Sequence, residues 1–590
     1  MTKSLKDGMY LNPPAGTKKL FFFLVLLLCS LTGCMRARET TVPKPEDILP
    51  PVVARHGMVA SDDRYATETG LEVLREGGNA VDAAVTVGFT LAVTYPRAGN
   101  LGGGGFMVVY LAKRSKVIAL DYREKAPKAA TPDMFLDEGG NVDAGKARHG
   151  YLAVGVPGTV GGLTLALRKY GTISLERALR PAIGLAENGF PVDENLRKSL
   201  VEVEERMQAS PASMEIFFKK DGAPYEVGEL VIQNDLAWSL KQIAKYGANA
   251  FYRGLIGERI VAAMKAGGGL ITREDLASYK AIIREPIHGT YRGYDIYAMP
   301  PPSSGGVHLI QILNVLEGFR IREFGHNTAR TIHLMAEGMK LAYADRSKYL
   351  GDPDFVPVPV SGLISKRYAR ELRRKINLYR AMPSNKIVPG NPMNYEQSED
   401  TTHFSVMDKY GNVVSNTYTL NFSYGTGITA PGTGILLNNE MDDFSAKPSV
   451  PNAYGLTGGE YNAIRPEKRM LSSMTPTIVM KNGQPFLATG SPGGSRIITI
   501  VLQIIMNVVD HGMNIASATN APRIHHQWLP DELQVEKGLN MDTIRLLEEK
   551  GQTVTIGGDT MGSTQSIMRA DDFFYGSSDP RSRGGLARGY

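Results

Sequence analysis

Cysteine is almost absent from this 590-residue sequence: only Cys29 and Cys34 occur, and both lie close to the N-terminus. The rest of the chain therefore has neither an internal disulfide nor a thiolate metal site. Histidine does not take over as a metal ligand, because the one adjacent pair, His525-His526, would point its rings in different directions on a strand or a helix. We expect no bound metal.

A strong excess of one charge is lacking as well. The formal net charge is only +6, so the sequence gives no reason to expect a nucleic-acid partner. The glycine-rich stretch 99–105 is not followed by the Gly-Lys-Ser/Thr of a phosphate-binding loop. We interpret this stretch as a tight turn under the core rather than as a nucleotide site.

The N-terminal apolar run, 20–28, is too short for a membrane-spanning helix. It follows a lysine pair and precedes small residues, which is the pattern of an export signal. The stretch 31–34, Leu-Thr-Gly-Cys, resembles a bacterial lipobox, and we favour a lipid-modified Cys34 over a plain cleaved signal peptide. We therefore expect an export signal with a lipobox (1–34), a polar tether (35–51), and a protein that is periplasmic or anchored to a membrane by lipid.

Beyond the tether, the spacing of apolar residues predicts helices and strands on both sides of a polar stretch, 391–400. We expect a segment at 52–400 and a segment at 401–590 that share one interleaved α+β core. Asn327 is the expected cap of a long helix, and 352–400 is expected to be irregular. The predicted helices are 65–76, 80–93, 172–188, 236–246, 328–344, 495–510 and 542–550, and the predicted strands are 106–111, 117–122, 403–407, 413–420, 477–480 and 486–489.

The dipeptide Asp400-Thr401 carries the most informative chemistry. A threonine hydroxyl is a weak nucleophile unless a base takes its proton. A cut before Thr401 would create a free α-amine on the same residue, with a pKa of roughly 7.7–8.0, that could accept the hydroxyl proton. The plain alternative is the start of a β-strand. Further along, Gly493-Gly494 precede an apolar helix, and N–H groups at such an entrance suit an oxyanion hole. Nucleophile, base and oxyanion donors together indicate acyl transfer.

Five motifs from residue 401 onward occur in a distinctive order and spacing: Thr401-Thr402-His403-Phe404-Ser405, Thr417-Tyr418-Thr419-Leu420-Asn421, Leu436-Leu437-Asn438-Asn439-Glu440-Met441-Asp442-Asp443-Phe444, Leu471-Ser472-Ser473-Met474-Thr475-Pro476 and Ser491-Pro492-Gly493-Gly494-Ser495-Arg496. With these motifs the sequence resembles the γ-glutamyltranspeptidases (glutathione hydrolases), and the likeness extends over most of the chain. The resemblance implies a four-layer αββα sandwich, the fold of the N-terminal-nucleophile hydrolases. It also implies self-cleavage before Thr401 into a large subunit (52–400) and a small catalytic subunit (401–590) that form a heterodimer.

The resemblance also implies how an amino-acid head would be held. Arg123 would clamp the substrate α-carboxylate with its planar guanidinium, together with Ser472 and Ser473. The α-ammonium would meet oxygen acceptors. These acceptors are Asn421, Glu440 and Asp443.

Two further groups complete the implied site. Thr419 would hydrogen-bond to Thr401 and tune its reactivity, although on pattern alone it is an ordinary strand residue. Tyr454 would be the tip of a lid in what otherwise reads as a surface loop, and a lid favours small substrates. The N–H groups of Gly493 and Gly494 would hold the oxyanion.

The implied activity passes a γ-glutamyl group from glutathione or another γ-glutamyl amide to water, an amino acid or a dipeptide. The intermediate is a γ-glutamyl ester of Thr401, and no metal or organic cofactor is required. One alternative is a related acylase or a poly-γ-glutamate-processing enzyme, against which the groups for an amino-acid head and the lid both weigh. Another is a non-catalytic surface lipoprotein with the same fold, against which the intact Thr401, Thr419 and glycine pair weigh.

Overall fold

The structure is a computed structural model that describes residues 49–392, 403–557 and 560–590. The predicted export signal, Cys34 and the bond between Asp400 and Thr401 lie outside the described residues. Within the three described ranges, no helix combines the length and the apolar character that a membrane crossing requires.

Strands and helices are interspersed along the chain, and the first strand begins at Val52, close to the predicted end of the tether. The strands are β1 (Val52–Ala54), β2 (Met58–Ser61), β3 (Gly104–Leu111), β4 (Lys116–Tyr122), β5 (Phe190–Pro191), β6 (Leu230–Val231), β7 (Ile282–Arg284), β8 (Ile287–Tyr291), β9 (Tyr294–Ala298), β10 (Phe404–Met407), β11 (Val413–Thr419), β12 (Thr429–Ala430), β13 (Ile435–Leu436), β14 (Thr477–Lys481), β15 (Gln484–Thr489), β16 (Ile524–His525), β17 (Leu533–Val535), β18 (Val554–Ile556), β19 (Gln565–Ala570), β20 (Phe573–Ser578) and β21 (Leu586–Gly589). The α-helices are Arg64–Arg75, Ala80–Thr94, Ala144–Arg148, Thr159–Tyr170, Leu175–Asn188, Glu194–Met207, Pro211–Phe217, Asn234–Tyr246, Ala248–Tyr252, Leu255–Gly267, Arg273–Ser278, Gly305–Leu316, Ile321–Phe324, Ala329–Tyr349, Val360–Leu363, Lys366–Lys375, Ile497–Val509, Ile515–Asn520 and Met541–Glu549.

Two seven-stranded sheets dominate the described residues. One sheet has the strand order β1-β20-β19-β15-β14-β9-β8, and the other has the order β21-β2-β10-β11-β3-β4-β7. Each sheet mixes strands that precede residue 400 with strands that follow it. In the second sheet the hairpin β10–β11 lies between β2 and β3, with antiparallel pairing on both sides.

The two faces of β3 show how the layers are arranged. Phe106 and Val108 belong to the core that the two sheets share. Met107 and Val109 face the other way and pack in a second core with the helix Ala80–Thr94. The outer face of the first sheet is covered by further helices, so the architecture is the expected helix–sheet–sheet–helix sandwich. Those helices include Gly305–Leu316, Ala329–Tyr349 and Ile497–Val509.

Most predicted elements are confirmed to within a few residues, but two predictions are wrong. The long helix is capped by Thr328, whose hydroxyl accepts from the Thr331 N–H, and not by Asn327, which has a left-handed φ of 50°. The stretch after residue 352 is not irregular throughout, since it forms the helices Val360–Leu363 and Lys366–Lys375.

Candidate active site

The hairpin β10–β11 brings Thr419 to one end of the second sheet. Phe404 lies opposite Asn416, and Thr419 pairs with Gly104 of β3. The Asn421 N–H donates to Thr419 Oγ1 at 2.8 Å, so the hydroxyl oxygen acts as an acceptor and its hydrogen stays available to another group. The Thr419 carbonyl accepts from Asn100 Nδ2 at 2.9 Å, which fixes the backbone at this point.

His403, the first described residue after the predicted cut, is buried. Its Nε2 lies 2.5 Å from the Gln565 carbonyl oxygen, which can only accept, and its Nδ1 lies 3.0 Å from the Ser415 hydroxyl. Burial lowers the pKa of His403 to about 3, so the ring is neutral near pH 7. A Cβ at Gly490 would come within 2.4 Å of the His403 side chain, and the glycine-rich loop therefore packs directly against this residue.

That loop continues through Gly493 and Gly494, which precede the helix Ile497–Val509. Both glycines have positive φ angles, 135° and 56°, a conformation that L-residues rarely adopt. A Cβ on Gly494 would lie 2.5 Å from a ring carbon of Tyr454, so the tyrosine ring covers the backbone here. Gly493, Gly494 and Tyr454, all predicted from the sequence as site residues, thus lie close together.

Tyr454 is fixed by hydrogen bonds at its hydroxyl and at its backbone carbonyl. Its hydroxyl donates to the Asn421 carbonyl at 2.9 Å, and its own carbonyl accepts from Gln527 Nε2 at 3.1 Å. Two residues earlier, Asn452 Nδ2 lies 3.4 Å from Asp443 Oδ1. The Asn421 side chain donates through Nδ2 to Asn439 O, which leaves its amide oxygen as an acceptor.

Arg123, just beyond the end of β4, is fully buried and enclosed by acidic residues. Its Nη1 lies 2.5 Å from Glu440 Oε2, and its Nη2 lies 2.6 Å from Asp443 Oδ2. Nε donates to the Met470 carbonyl at 3.3 Å. A second carboxylate oxygen, Glu124 Oε2, lies 3.5 Å from Nη1. We call these four charged residues, Arg123, Glu124, Glu440 and Asp443, the head cluster.

The head cluster holds three carboxyl groups against one guanidinium. Burial raises the pKa of Glu124 to about 8 and that of Glu440 well above its usual range, although Arg123 opposes both shifts. Burial also raises the pKa of Asp443. Burial alone would lower the pKa of Arg123, but the surrounding carboxylates raise it, so the arginine remains charged. The cluster is therefore rich in acceptors for a cation and holds at least one proton near neutral pH.

Ser472 and Ser473 lie on a loop that is tied to the turn before the helix Gly305–Leu316. The Ser472 N–H donates to Pro302 O at 2.8 Å, and the Ser304 N–H donates to Ser472 O at 2.8 Å. The Ser473 hydroxyl lies 3.1 Å from an Nη2 that belongs to Arg346, not to Arg123. Of the two predicted serines, Ser473 therefore contacts an arginine of the helix Ala329–Tyr349.

The predicted residues thus fall into linked groups. Arg123, Glu440 and Asp443 form one cluster, and Tyr454 links Asn421 to Gly494. Asp400 and Thr401 lie outside the described residues.

Sequence reasoning missed Glu124 as a member of the head cluster and missed Arg346 altogether. An arginine in the last turn of a helix is an ordinary complement to the helix dipole, so no sequence signal distinguishes Arg346. Across 49–392, 403–557 and 560–590, no group of three or more His, Cys, Asp or Glu residues is placed to hold a metal ion.

Comparison with known proteins places this arrangement in a family. Residues 66–589 match the family model described as Gamma-glutamyltranspeptidase. The chain is 53% identical over 581 residues to the glutathione hydrolase proenzyme of Escherichia coli K12, an alignment that covers 97% of this chain and 100% of the relative.

Two solved structures are also similar. A cephalosporin acylase from Bacillus halodurans superposes with a TM-score of 0.81 at 30% identity, over 92% of this chain and 97% of that one. A chain of Helicobacter pylori γ-glutamyltranspeptidase gives a TM-score of 0.56 at 50% identity, over 57% of this chain and 96% of that one. With the family model spanning most of its length and a relative of this identity covering nearly all of it, the chain belongs to the γ-glutamyltranspeptidase family.

Proposed function

We propose that the chain is a proenzyme that cleaves itself before Thr401 and then acts as a γ-glutamyl hydrolase and transferase on glutathione and other γ-glutamyl amides. The observation that carries this proposal is the head cluster, in which a buried guanidinium and several carboxyl groups meet close to the lid. Such a cluster matches the two charges of an amino-acid head. Recognition of the head at one end leaves the side-chain carbonyl as the group to be attacked.

Thr401 is the proposed nucleophile, with Thr419 as its partner. Phe404 lies opposite Asn416 in the β10–β11 pair, so β10 begins near the end of β11 that carries Thr419. Because Thr419 Oγ1 already accepts from Asn421, its hydrogen is free to donate to a threonine oxygen. The α-amine created by cleavage would serve as the base.

The proposed reaction has three stages. Thr401 Oγ attacks the Asp400 carbonyl, the acyl group shifts from nitrogen to oxygen, and water hydrolyses the ester to release two chains. Mature Thr401 then attacks the γ-glutamyl carbonyl while the N–H groups of Gly493 and Gly494 hold the oxyanion, a contribution of about 3–4 kcal/mol per donor. Water, an amino acid or a dipeptide finally takes the γ-glutamyl group.

Two chains that stay together as a heterodimer are part of the proposal. The matched Helicobacter pylori chain is covered almost completely by 57% of this chain, a share that fits a separate large subunit. Strands from both sides of residue 400 are combined in both sheets, and this supports continued association after cleavage.

A related acylase activity is less well supported. The solved cephalosporin acylase shares 30% identity with this chain, whereas the glutathione hydrolase proenzyme shares 53%. The buried Arg123, paired with Glu440 and Asp443, is also suited to a zwitterionic head more than to an apolar acyl group.

Export and lipid attachment at Cys34 are proposed from the sequence pattern of 1–34. We expect the full-length protein to fractionate with membranes in a bacterial host and a Cys34→Ala variant to appear in the soluble periplasmic fraction. Equal distribution of the two proteins would remove the lipid anchor from the proposal while leaving the enzyme activity untouched.

One assay tests the proposed function most simply. Purified protein should release nitroaniline from γ-glutamyl-p-nitroanilide, and glycylglycine should increase the rate if transfer competes with hydrolysis. Thr401→Ala is the matched control and should show no turnover. A processed wild-type protein that leaves the γ-glutamyl anilide intact but hydrolyses an acyl amide without an amino-acid head would favour the acylase.

A further inference from the structure

Arg346 is a buried arginine for which the proposed reaction has no role. It lies in the last turn of the helix Ala329–Tyr349, and its side chain points inward with 6% of the residue exposed. Nε donates to Ser304 Oγ at 2.8 Å, and Nη2 donates to Ser473 Oγ at 3.1 Å. One guanidinium therefore holds two hydroxyl groups, one from each side of the predicted cut.

The direction of these hydrogen bonds follows from the chemistry of the groups. A guanidinium has only donors, so both serine oxygens must accept. The Ser304 hydroxyl in turn donates its hydrogen to the Ser472 carbonyl oxygen at 2.9 Å. Among the described residues, the Ser473 hydroxyl has no hydrogen-bond partner besides Arg346, so its hydrogen is free to donate to a further acceptor.

The Ser472 hydroxyl is hydrogen-bonded in the same direction as that of Ser473. Its hydroxyl oxygen accepts from the Met474 N–H at 3.2 Å, and within 49–392, 403–557 and 560–590 its hydrogen has no acceptor. Each of these two oxygens already accepts from one donor, whereas neither hydroxyl hydrogen has an acceptor among the described residues, so the pair is suited to donate to an incoming group. The group that suits such a pair is an anion, and a carboxylate oxygen accepts several such bonds.

We propose that Arg346 is a positioning residue that orients the Ser473 hydroxyl, through a direct hydrogen bond and through Ser304, to donate its hydrogen to the α-carboxylate of the γ-glutamyl donor. This inference rests on the proposed function and extends it to a residue outside the head cluster. Arg346 acts through Ser473 and does not itself touch the substrate. Its effect therefore belongs to binding of the carboxylate and not to chemistry at the γ-carbonyl.

The test compares Arg346→Met with Lys348→Met, a change of an exposed residue in the same helical turn. With γ-glutamyl-p-nitroanilide, Arg346→Met should raise KM about 10- to 100-fold, the range for hydrogen bonds to charged groups, while kcat changes less than about 3-fold. Lys348→Met should match the wild type. Arg346→Lys, which keeps the charge but holds one serine at a time, should fall between them.

Two further readouts separate positioning from a general structural role. The donor 4-aminobutyryl-p-nitroanilide lacks the α-carboxylate, so its kcat/KM should be the same in wild type and Arg346→Met. Combining Arg346→Met with Ser473→Ala should raise KM little beyond Ser473→Ala alone, because both changes remove the same contact.

The proposal is overturned if Arg346→Met impairs both donors equally, if the two changes add fully, or if KM is unchanged. Should Arg346→Met fail to fold, the same comparisons apply to Arg346→Lys and Ser304→Ala, and an unchanged KM in both would overturn it. Absence of turnover in processed wild-type protein would instead contradict the proposed function itself.

Discussion

Arg123 shows, at the scale of one residue, that the charged groups of the candidate site already pair with one another. Both ends of its guanidinium already face carboxylates, from Glu440 and Asp443. In the proposed function, a substrate carboxylate would take over part of this guanidinium, while the displaced acidic groups would turn to the substrate ammonium. Binding would then replace an internal ion pair with one to the substrate, which would limit the net desolvation that binding demands.

The first prediction concerns Arg123→Lys. An ammonium cannot present the planar fork that reaches two carboxylates at once, so KM for a γ-glutamyl donor should rise about 100-fold. Self-cleavage should change less than about 3-fold, because its substrate is the peptide bond of the chain itself. Measurement of both rates on one preparation checks this, and equal loss of both would make Arg123 a structural residue.

A matched control for Arg123→Lys is Arg469→Lys. Arg469 is another fully buried arginine and pairs with Asp121 at 3.3 Å, so both changes disturb a buried ion pair. The control should lower the melting temperature without a selective effect on KM for the donor.

The second prediction concerns pH and Glu124. Burial raises the pKa of Glu124 from 4.5 to about 8, so between these values the folded protein keeps a proton that the unfolded chain releases. The free energy of unfolding should therefore fall as pH rises through this window. Glu124→Gln should make the free energy of unfolding depend less steeply on pH. The remaining dependence would come from Glu440, whose pKa burial also raises. Melting temperatures from pH 5 to 8, in a Thr401→Ala background, test this, and an unchanged slope would contradict it.

At the scale of elements, the glycine-rich loop and the lid act as one unit. Gly494 is left-handed and lies under the ring of Tyr454, and Tyr454 in turn reaches Asn421 beside Thr419. A change in the loop therefore reaches the lid directly. If the Tyr454 loop is the proposed lid, its closure would exclude water and strengthen electrostatic interactions in the pocket.

The third prediction concerns Gly494→Ala. The added methyl would lie 2.5 Å from the Tyr454 ring, so the lid or the loop must move. The N–H of residue 494 would then shift away from the oxyanion position, and kcat should fall about 100-fold. Gly512→Ala is the control, since Gly512 has a similar φ of 66° but no atom within 4 Å of the new methyl. The control should lose stability and keep kcat within about 2-fold. Equal loss of kcat in both would mean that backbone strain alone is responsible.

Local patterns predicted much of the fold but only part of the site. The hairpin β10–β11 follows from two apolar stretches around a polar turn, which is a short-range signal. The helix Lys366–Lys375 was missed because its buried stripe is only Tyr368, Ala369 and Leu372 in an otherwise strongly basic segment. The pairing of Arg123 with Glu440 joins positions more than 300 residues apart, and no local pattern contains it.

At the scale of the whole molecule, cleavage and assembly are linked. The hairpin β10–β11, from the proposed small subunit, lies between β2 and β3, from the proposed large one. Neither segment can complete a sheet alone, so separation would expose strand edges and both cores.

The fourth prediction follows from this interleaving. After cleavage the two chains should elute together in size-exclusion chromatography under native conditions and separate only in denaturant, because the sheets hold them without a covalent link. Uncleaved Thr401→Ala should elute at the same volume. Two separate native peaks from cleaved protein would contradict the shared core.

The central claim is that a threonine becomes the nucleophile when the chain exposes its amine. Intact mass spectrometry and N-terminal sequencing of purified, active protein test it directly. The expected result is a new N-terminus at Thr401 in wild type and an uncut chain in Thr401→Ala, with γ-glutamyl turnover rising in step with the cleaved fraction. Full activity in a chain with no N-terminus at position 401 would contradict the account.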